Sequence, residues 1–234
     1  MIPRQSPEEP PMRDRWKYGS IPVVGLIGGI GGGKSATAKC LADRGAAVID
    51  ADAVGHELLE NPAIRDRIVE RFGPGVVDAG RISRRALGAI VFRDADALRD
   101  LEAILHPAMR EDFRRTIGRL EREGDCPCIV LDAAVLLKAG WDELCDRIAF
   151  VDAPRAERLR RVEASRGWSD EALAARERSQ WPIDEMRRRA DWIIDNDGPP
   201  GRLGREVDRL LGRLRADSSP EAPPAPPMEL RETA

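Results

Sequence analysis

GGIGGGKS, the run from Gly28 to Ser35, decides how the rest of the chain is read. It satisfies GxxxxGK[ST], follows the apolar run Val23 to Ile27, and precedes a plausible helical segment from Ser35 to Arg44. Strand, loop and helix N-terminus in that order form a phosphate cradle. The glycines let successive N–H groups turn inward, and the helix adds its unpaired N–H groups and positive dipole end. Gly28, Gly29, Ile30, Gly31, Gly32 and Gly33 are therefore expected to bind the phosphates of a nucleoside triphosphate. Lys34 should reach the β and γ phosphates, and the Ser35 hydroxyl should help hold Mg²⁺. Five glycines in eight residues cost backbone entropy that packing alone does not offset, which argues against a simple turn.

Outward from this loop, short apolar runs recur at Ile21 to Ile27, Ala46 to Ile49, Cys128 to Leu131, Ile148 to Val151 and Trp192 to Ile194. Runs this short and apolar suit strands covered on both faces, and helix-length spacers imply parallel crossovers. The expectation is an α/β protein with a five-stranded parallel sheet. The interval from 53 to 125 offers no good strand but has helical periodicity, with Leu98, Leu101, Ile104 and Leu105 on one face. It reads as a helical insertion. An Arg-rich, strand-free segment from about Pro154 to Arg189 is expected to be helical, with breaks at Gly167 and Pro182. The expected boundaries are a tail without stable structure at 1–20, core at 21–59, insertion at 60–125, core at 126–153, Arg-rich segment at 154–190, core at 191–215 and a Pro-rich tail at 216–234.

Composition narrows the function. The 234 residues carry 38 Lys plus Arg against 41 Asp plus Glu, a net charge of −3, so no global field draws nucleic acid or anionic membrane. The Arg-rich segment 155–189 is the local exception, with ten Arg against seven acids. Only four of the basic residues are Lys, and Lys34 is one of them, where a compact ammonium suits the phosphates better than a planar guanidinium. No run approaches the roughly 20 apolar residues of a membrane span, and the N-terminus lacks a secretory apolar stretch. A cytoplasmic protein is expected. Cys40, Cys126, Cys128 and Cys145 follow neither zinc nor disulfide spacings.

Further residues stand out around the loop. Asp50 and Asp52 close the run AVIDAD; if the strand extends through Asp52, the pleat puts both on one face at the ligand-binding edge of the sheet. One carboxylate could then accept the proton of an attacking hydroxyl, or one could cap the helix that follows. Asp132, ending another strand, suits either Mg²⁺ coordination through water or a helix cap. His106, before Pro107 at an expected helix end, suits either a cap or a ligand contact. Asn196, in Asn196-Asp197-Gly198, suits either the adenine pocket or a turn. The absence of a guanine-specific NKxD and of an Asp-Glu pair at Asp132-Ala133 favours a small-molecule kinase over GTPases and motor ATPases.

The motifs together resemble the dephospho-coenzyme A kinases. They are GLIGGIGGGKSA (25–36), VIDADAVGHELL (48–59), GRISRRALGAIVF (80–92), LEAILHPAMR (101–110), VLDAAVLLKAGW (130–141) and ADWIIDNDG (190–198), in order and spanning about Val23 to Leu214. The resemblance implies a P-loop kinase fold and transfer of the γ-phosphoryl of ATP to the ribose 3′-hydroxyl of dephospho-coenzyme A, with Mg²⁺. It implies Asp52 as base, the insertion as acceptor domain, and the Arg-rich segment as a lid in which Arg158 and Arg166 face ATP. Asp50, His56, His106 and Asp132 are carried as acceptor-side residues, His56 standing where an Arg is frequent. Lys138 departs from the family pattern by placing a cation where an acid is common. A monomer with no nucleic-acid or membrane partner is expected. The alternatives are a related P-loop kinase for a nucleoside or other small alcohol, recognised by its acceptor preference, and a lapsed ATP-binding regulatory protein, recognised by ATP binding without transfer.

Overall fold

The computed structural model describes residues 16–218. In chain order the elements are β1 (Val23–Gly28), α1 (Lys34–Ala42), β2 (Ala47–Asp50), α2 (Ala51–Leu58), α3 (Pro62–Phe72), β3 (Val77–Asp78), β4 (Arg81–Ile82), α4 (Arg84–Val91), α5 (Ala95–Glu123), β5 (Ile129–Asp132), β6 (Arg147–Asp152), α6 (Arg155–Arg166), α7 (Asp170–Glu177), α8 (Ile183–Arg189), β7 (Trp192–Asp195) and α9 (Pro200–Ser218). The five expected strands form one sheet in the order β2-β5-β1-β6-β7, every neighbouring pair parallel.

The apolar runs are continuous because both faces of the sheet are covered. Val23, Ile27, Ile129, Leu131, Ile148 and Phe150 pack on one side with Met109, Phe113 and Ile117 of α5 and Met186 of α8. The intervening residues Val24, Leu26, Val130, Ala149 and Val151 pack on the other with Leu41 of α1 and Val207, Leu210 and Leu214 of α9. This period-two partition is what a strand buried on both sides requires. A third cluster, including Ile64, Ile68, Val76, Leu87 and Ile104, forms the core of the insertion.

Three expectations are corrected. The helix carrying His106 does not end there: α5 runs 29 residues through Pro107 to a left-handed Gly124. A proline inside a helix costs about 3 kcal/mol, and here packing on both sides of it carries the helix across, Ile104 in the insertion cluster and Met109 and Phe113 against the sheet. The insertion also contains a hairpin, β3 with β4, whose two-residue strands are too short to leave a pattern. Finally, Trp16 to Ser20 do not belong to a tail. Trp16 is buried, Arg147 lies 5.1 Å over its ring, and its indole donates to Ser218 Oγ at 3.3 Å. The backbone N–H groups of Ser20 and Ile21 donate to Glu121 on α5. Helix α9 likewise continues past 215 to Ser218. The tails expected at 1–15 and 219–234 lie outside the described residues.

The Arg-rich segment is three helices, α6 to α8, broken where Gly167 adopts a left-handed φ of 65° and where Pro182 precedes α8. Among the described residues no helix is long and apolar enough to cross a membrane. All four cysteines are free thiols, and burial pushes Cys128 and Cys145 up to about 12.

Candidate active site

Strands β1, β5 and β2 deliver three functional corners to one edge of the sheet. Leu26 pairs with Asp132, and Asp132 pairs with Asp50, so the acids ending β5 and β2 stand level beside the phosphate loop. This carboxyl edge is where open α/β sheets bind ligands. The loop enters α1 through Gly33, whose φ of 97° is left-handed and which offers no side-chain cap. The first N–H groups of α1 are thus left without the cap that most helix starts provide. Lys34 forms an ion pair with Asp132, both side chains mostly buried at 20% and 12% exposure. Ser35, in the first turn of α1, is exposed.

The outer, carbonyl side of the loop is held by side chains from distant segments. Gly28 O accepts from Gln180 Nε2 at 3.1 Å, and Ile30 O from Arg158 at 3.2 Å. Gly32 O accepts from both Arg161 at 3.2 Å and Asn196 Nδ2 at 2.8 Å. Gly29 O takes the Gly32 N–H, and Gly33 O takes the N–H and hydroxyl of Thr37. Arg158 is only 4% exposed and also pairs with Glu177 at 2.6 Å, tying α6 to α7. The fit leaves no room for larger residues: a Cβ on Gly31 would lie 2.7 Å from Arg158 O, and one on Gly33 would collide with Asn196.

The corner after β2 is built differently. The strand stops at Asp50, so the pleat does not extend to Asp52. Instead Asp50 caps α2, its carboxylate accepting from the N–H groups of Asp52 at 2.9 Å and Ala53 at 3.1 Å. The cap was one of the two expected readings of this acid pair. Asp52 occupies the first turn of α2, where a carboxylate is stabilised by the helix dipole. It lines a cavity of about 210 Å³ with Leu98, Leu105, His106, Val135 and Trp141. A second cavity, of about 240 Å³, lies on the loop side and is lined by Ile27, Ile30, Val135, Lys138, Gln180 and Trp181. Ala134 and Val135, which follow β5, line both cavities.

His106 presents its ring edge-on to Trp141 with centroids 4.9 Å apart. Burial holds its pKa below the usual imidazole value, Glu102 acting against and Lys138 with that shift. Lys138 pairs with Glu102 of α5 at 2.8 Å, so the cation ties the end of β5 to the insertion. Two candidates stand apart. His56 is exposed in the last turn of α2 and lines neither cavity. Arg166 is exposed at the end of α6, its guanidinium 4.8 Å from the Trp168 ring centroid, and does not reach the loop. Sequence reasoning missed Arg161 and Gln180. Arg161 follows Arg158 by three residues on one helix face, and Gln180 is one of only two glutamines in the chain; both were available signals.

The family model described as dephospho-CoA kinase matches residues 22–200. A dephospho-CoA kinase of Symbiobacterium thermophilum is 43% identical over 188 residues, covering 80% of this chain and 78% of that protein. One of Anaeromyxobacter dehalogenans is 40% identical over 209 residues, covering 88% and 98%. A crystal structure of a Thermus thermophilus protein superposes with a TM-score of 0.70 at 37% identity, covering 83% of this chain and 98% of that one. The match runs from the strand before the phosphate loop past Asn196 and includes the Arg-rich segment, and the chain belongs to the dephospho-CoA kinase family.

Proposed function

We propose that this chain transfers the γ-phosphoryl group of ATP to the ribose 3′-hydroxyl of dephospho-coenzyme A, giving coenzyme A and ADP, with the loop Gly28 to Ser35 as donor site and Asp52 as base. The observation that carries the reading is the pair of cavities divided by Ala134 and Val135, one beside the phosphate loop and the other beside Asp52. A donor and an acceptor entering from these two sides meet at the end of β5.

In the reaction a bond forms between O3′ and the γ phosphorus while the bond from that phosphorus to the β–γ bridging oxygen breaks. Asp52 accepts the hydroxyl proton and later returns it to solvent; ADP departs with the bridging oxygen. Lys34, which pairs with Asp132 in this structure, exchanges that carboxylate for the donor's β and γ phosphates. Asn196 and Arg158 act from outside the loop by fixing its carbonyls. Arg166 approaches the phosphates through lid closure, which also keeps out water that would compete with the ribose hydroxyl.

Ser35 and Asp132 fit Mg²⁺, which keeps several waters and binds through one or two protein oxygens plus substrate phosphates. When bound, the ion would offset negative charge on the donor phosphates. On the acceptor side, His106 lines the cavity and His56 lies at the far end of α2, positions that support contact with a bound acceptor only for the former. We take the enzyme to act as a cytoplasmic monomer without nucleic-acid or membrane partners, in keeping with its balanced charge.

Measuring ADP release with ATP across a panel of dephospho-coenzyme A, adenosine, shikimate and gluconate tests the reading. Dephospho-coenzyme A should be preferred by at least about a hundredfold, the discrimination two or three lost polar contacts impose. A preference for any other acceptor overturns it, and so does ATP binding with no acceptor-stimulated release.

A further inference from the structure

The contacts on the carbonyl side of the phosphate loop fall into two groups. Arg158 and Arg161 come from α6, the first helix of the Arg-rich segment, and Asn196 follows β7; Arg158 and Asn196 are buried. Gln180 alone comes from the short linker between α7 and α8. Its side-chain amide bonds the loop twice: Oε1 accepts from Ile30 N–H at 3.2 Å while Nε2 donates to Gly28 O at 3.1 Å. Two antiparallel bonds to residues two apart fix both position and rotation of that backbone segment, which a single bond does not. The same side chain lines the loop-side cavity next to Trp181 and Arg176.

We propose that Gln180 is a positioning residue for the donor nucleotide: its amide locks the first turn of the phosphate loop to the far side of the lid, so that lid placement and the loop's readiness for phosphates form one equilibrium. The proposal rests on the loop being the ATP site, but not on the identity of the acceptor. A phosphate loop binds well only when its N–H groups are already turned inward, which requires its carbonyls to be turned outward and satisfied. With Arg158, Arg161 and Asn196 fixing the later carbonyls, Gln180 supplies the bond at Gly28 and removes the Ile30 N–H from competition. A ligand that needs this loop geometry therefore binds more weakly when Gln180 cannot hold it, because part of its binding energy goes into ordering the loop. The acceptor cavity on the other side of Val135 does not touch Gln180.

Two variants separate positioning from packing. Gln180→Met keeps length and volume but loses both hydrogen bonds. Gln180→Glu keeps an acceptor for Ile30 N–H and turns a carboxylate oxygen onto the Gly28 carbonyl. ATP affinity, measured calorimetrically without acceptor, should fall roughly tenfold in Gln180→Met, in line with two lost neutral hydrogen bonds, and further in Gln180→Glu. The KM for dephospho-coenzyme A should stay within about twofold, and the ligand-free melting temperatures should fall by no more than roughly 8 °C. If Gln180→Met binds ATP as the parent does, the side chain only fills space and the proposal is wrong. It is equally wrong if ATP affinity and acceptor KM shift together. A parent that binds ATP but does not phosphorylate dephospho-coenzyme A would refute the proposed acceptor while leaving this test intact.

Discussion

Two strand-to-helix corners lie near each other at the same edge of the sheet and solve opposite problems. After β1 the chain takes a glycine loop and enters α1 through Gly33, which has no side chain to cap the helix. After β2 there is no loop at all: Asp50 ends the strand and caps α2 in one residue, using up the N–H groups of Asp52 and Ala53. The first corner leaves helix donors open for a foreign anion; the second satisfies its own donors and presents the Asp52 carboxyl in the first turn of α2. The difference teaches that a helix start beside a strand end is suited to receive an anion or to present a carboxylate depending on whether the cap is left out, as at left-handed Gly33, or supplied by the chain, as at extended Asp50.

The comparison can be broken most severely at Asp52. In Asp52→Asn the mount remains but cannot take a proton, so kcat should fall by about 10² to 10⁴ while ATP affinity stays unchanged; turnover within a few fold of the parent would remove Asp52 from the chemistry. Next comes Lys34→Ala at the other corner. Losing one charge-assisted contact should lower kcat/KM for ATP by roughly 10- to 100-fold, and here, unlike Asp52→Asn, ATP binding itself should weaken. Equal ATP affinity in parent and variant would contradict the division of labour.

Smaller effects sharpen the picture. Asp50→Ala removes the cap of α2 and should cost about 1 kcal/mol of stability, read as a lower urea midpoint. ATP affinity should be unaffected, because the donor corner has no part in that cap; an unchanged midpoint would mean the two hydrogen bonds are worth nothing.

His106 gives the smallest effect, and its sign follows from its lowered pKa. The unfolded imidazole binds a proton near pH 6.5, whereas the folded one resists until lower pH, so the unfolded state binds more protons in between. The contribution of neutral His106 is complete above about pH 6.5 and is lost as pH falls through the folded value. His106→Gln should therefore lose less stability than the parent between pH 7.5 and 5.5; identical losses would show that His106 does not titrate in this way.

Much of this was written in local pattern. The five apolar runs became the five strands, the phosphate motif fell between β1 and α1, and the Arg-rich segment broke at Gly167 and Pro182, since each rests on neighbours in sequence. What escaped was long-range. Nothing near Pro107 announces that α5 continues, because its support comes from the sheet and from the insertion at once. Trp16 looked like part of a Pro-rich tail, yet its partners are Arg147 and Ser218, far along the chain. At the site, Asp52 was expected on a pleat that ends two residues early, and the helix carries it instead. The bonds of Arg161 and Gln180 to loop carbonyls have no spacing rule at all, since they join a side chain to the backbone of a segment more than 120 residues away.

The central claim, that one corner receives the donor and the other activates a ribose hydroxyl, is tested most directly by the fate of the γ-phosphoryl group. ATP carrying heavy oxygen in the non-bridging positions of its γ-phosphoryl group, incubated with the protein, Mg²⁺ and dephospho-coenzyme A, should yield product with the labelled phosphoryl group on the ribose 3′-oxygen, one for each ADP formed, as read by the isotope shift in phosphorus NMR. Label appearing mainly as free phosphate, or on any other hydroxyl, would contradict the account.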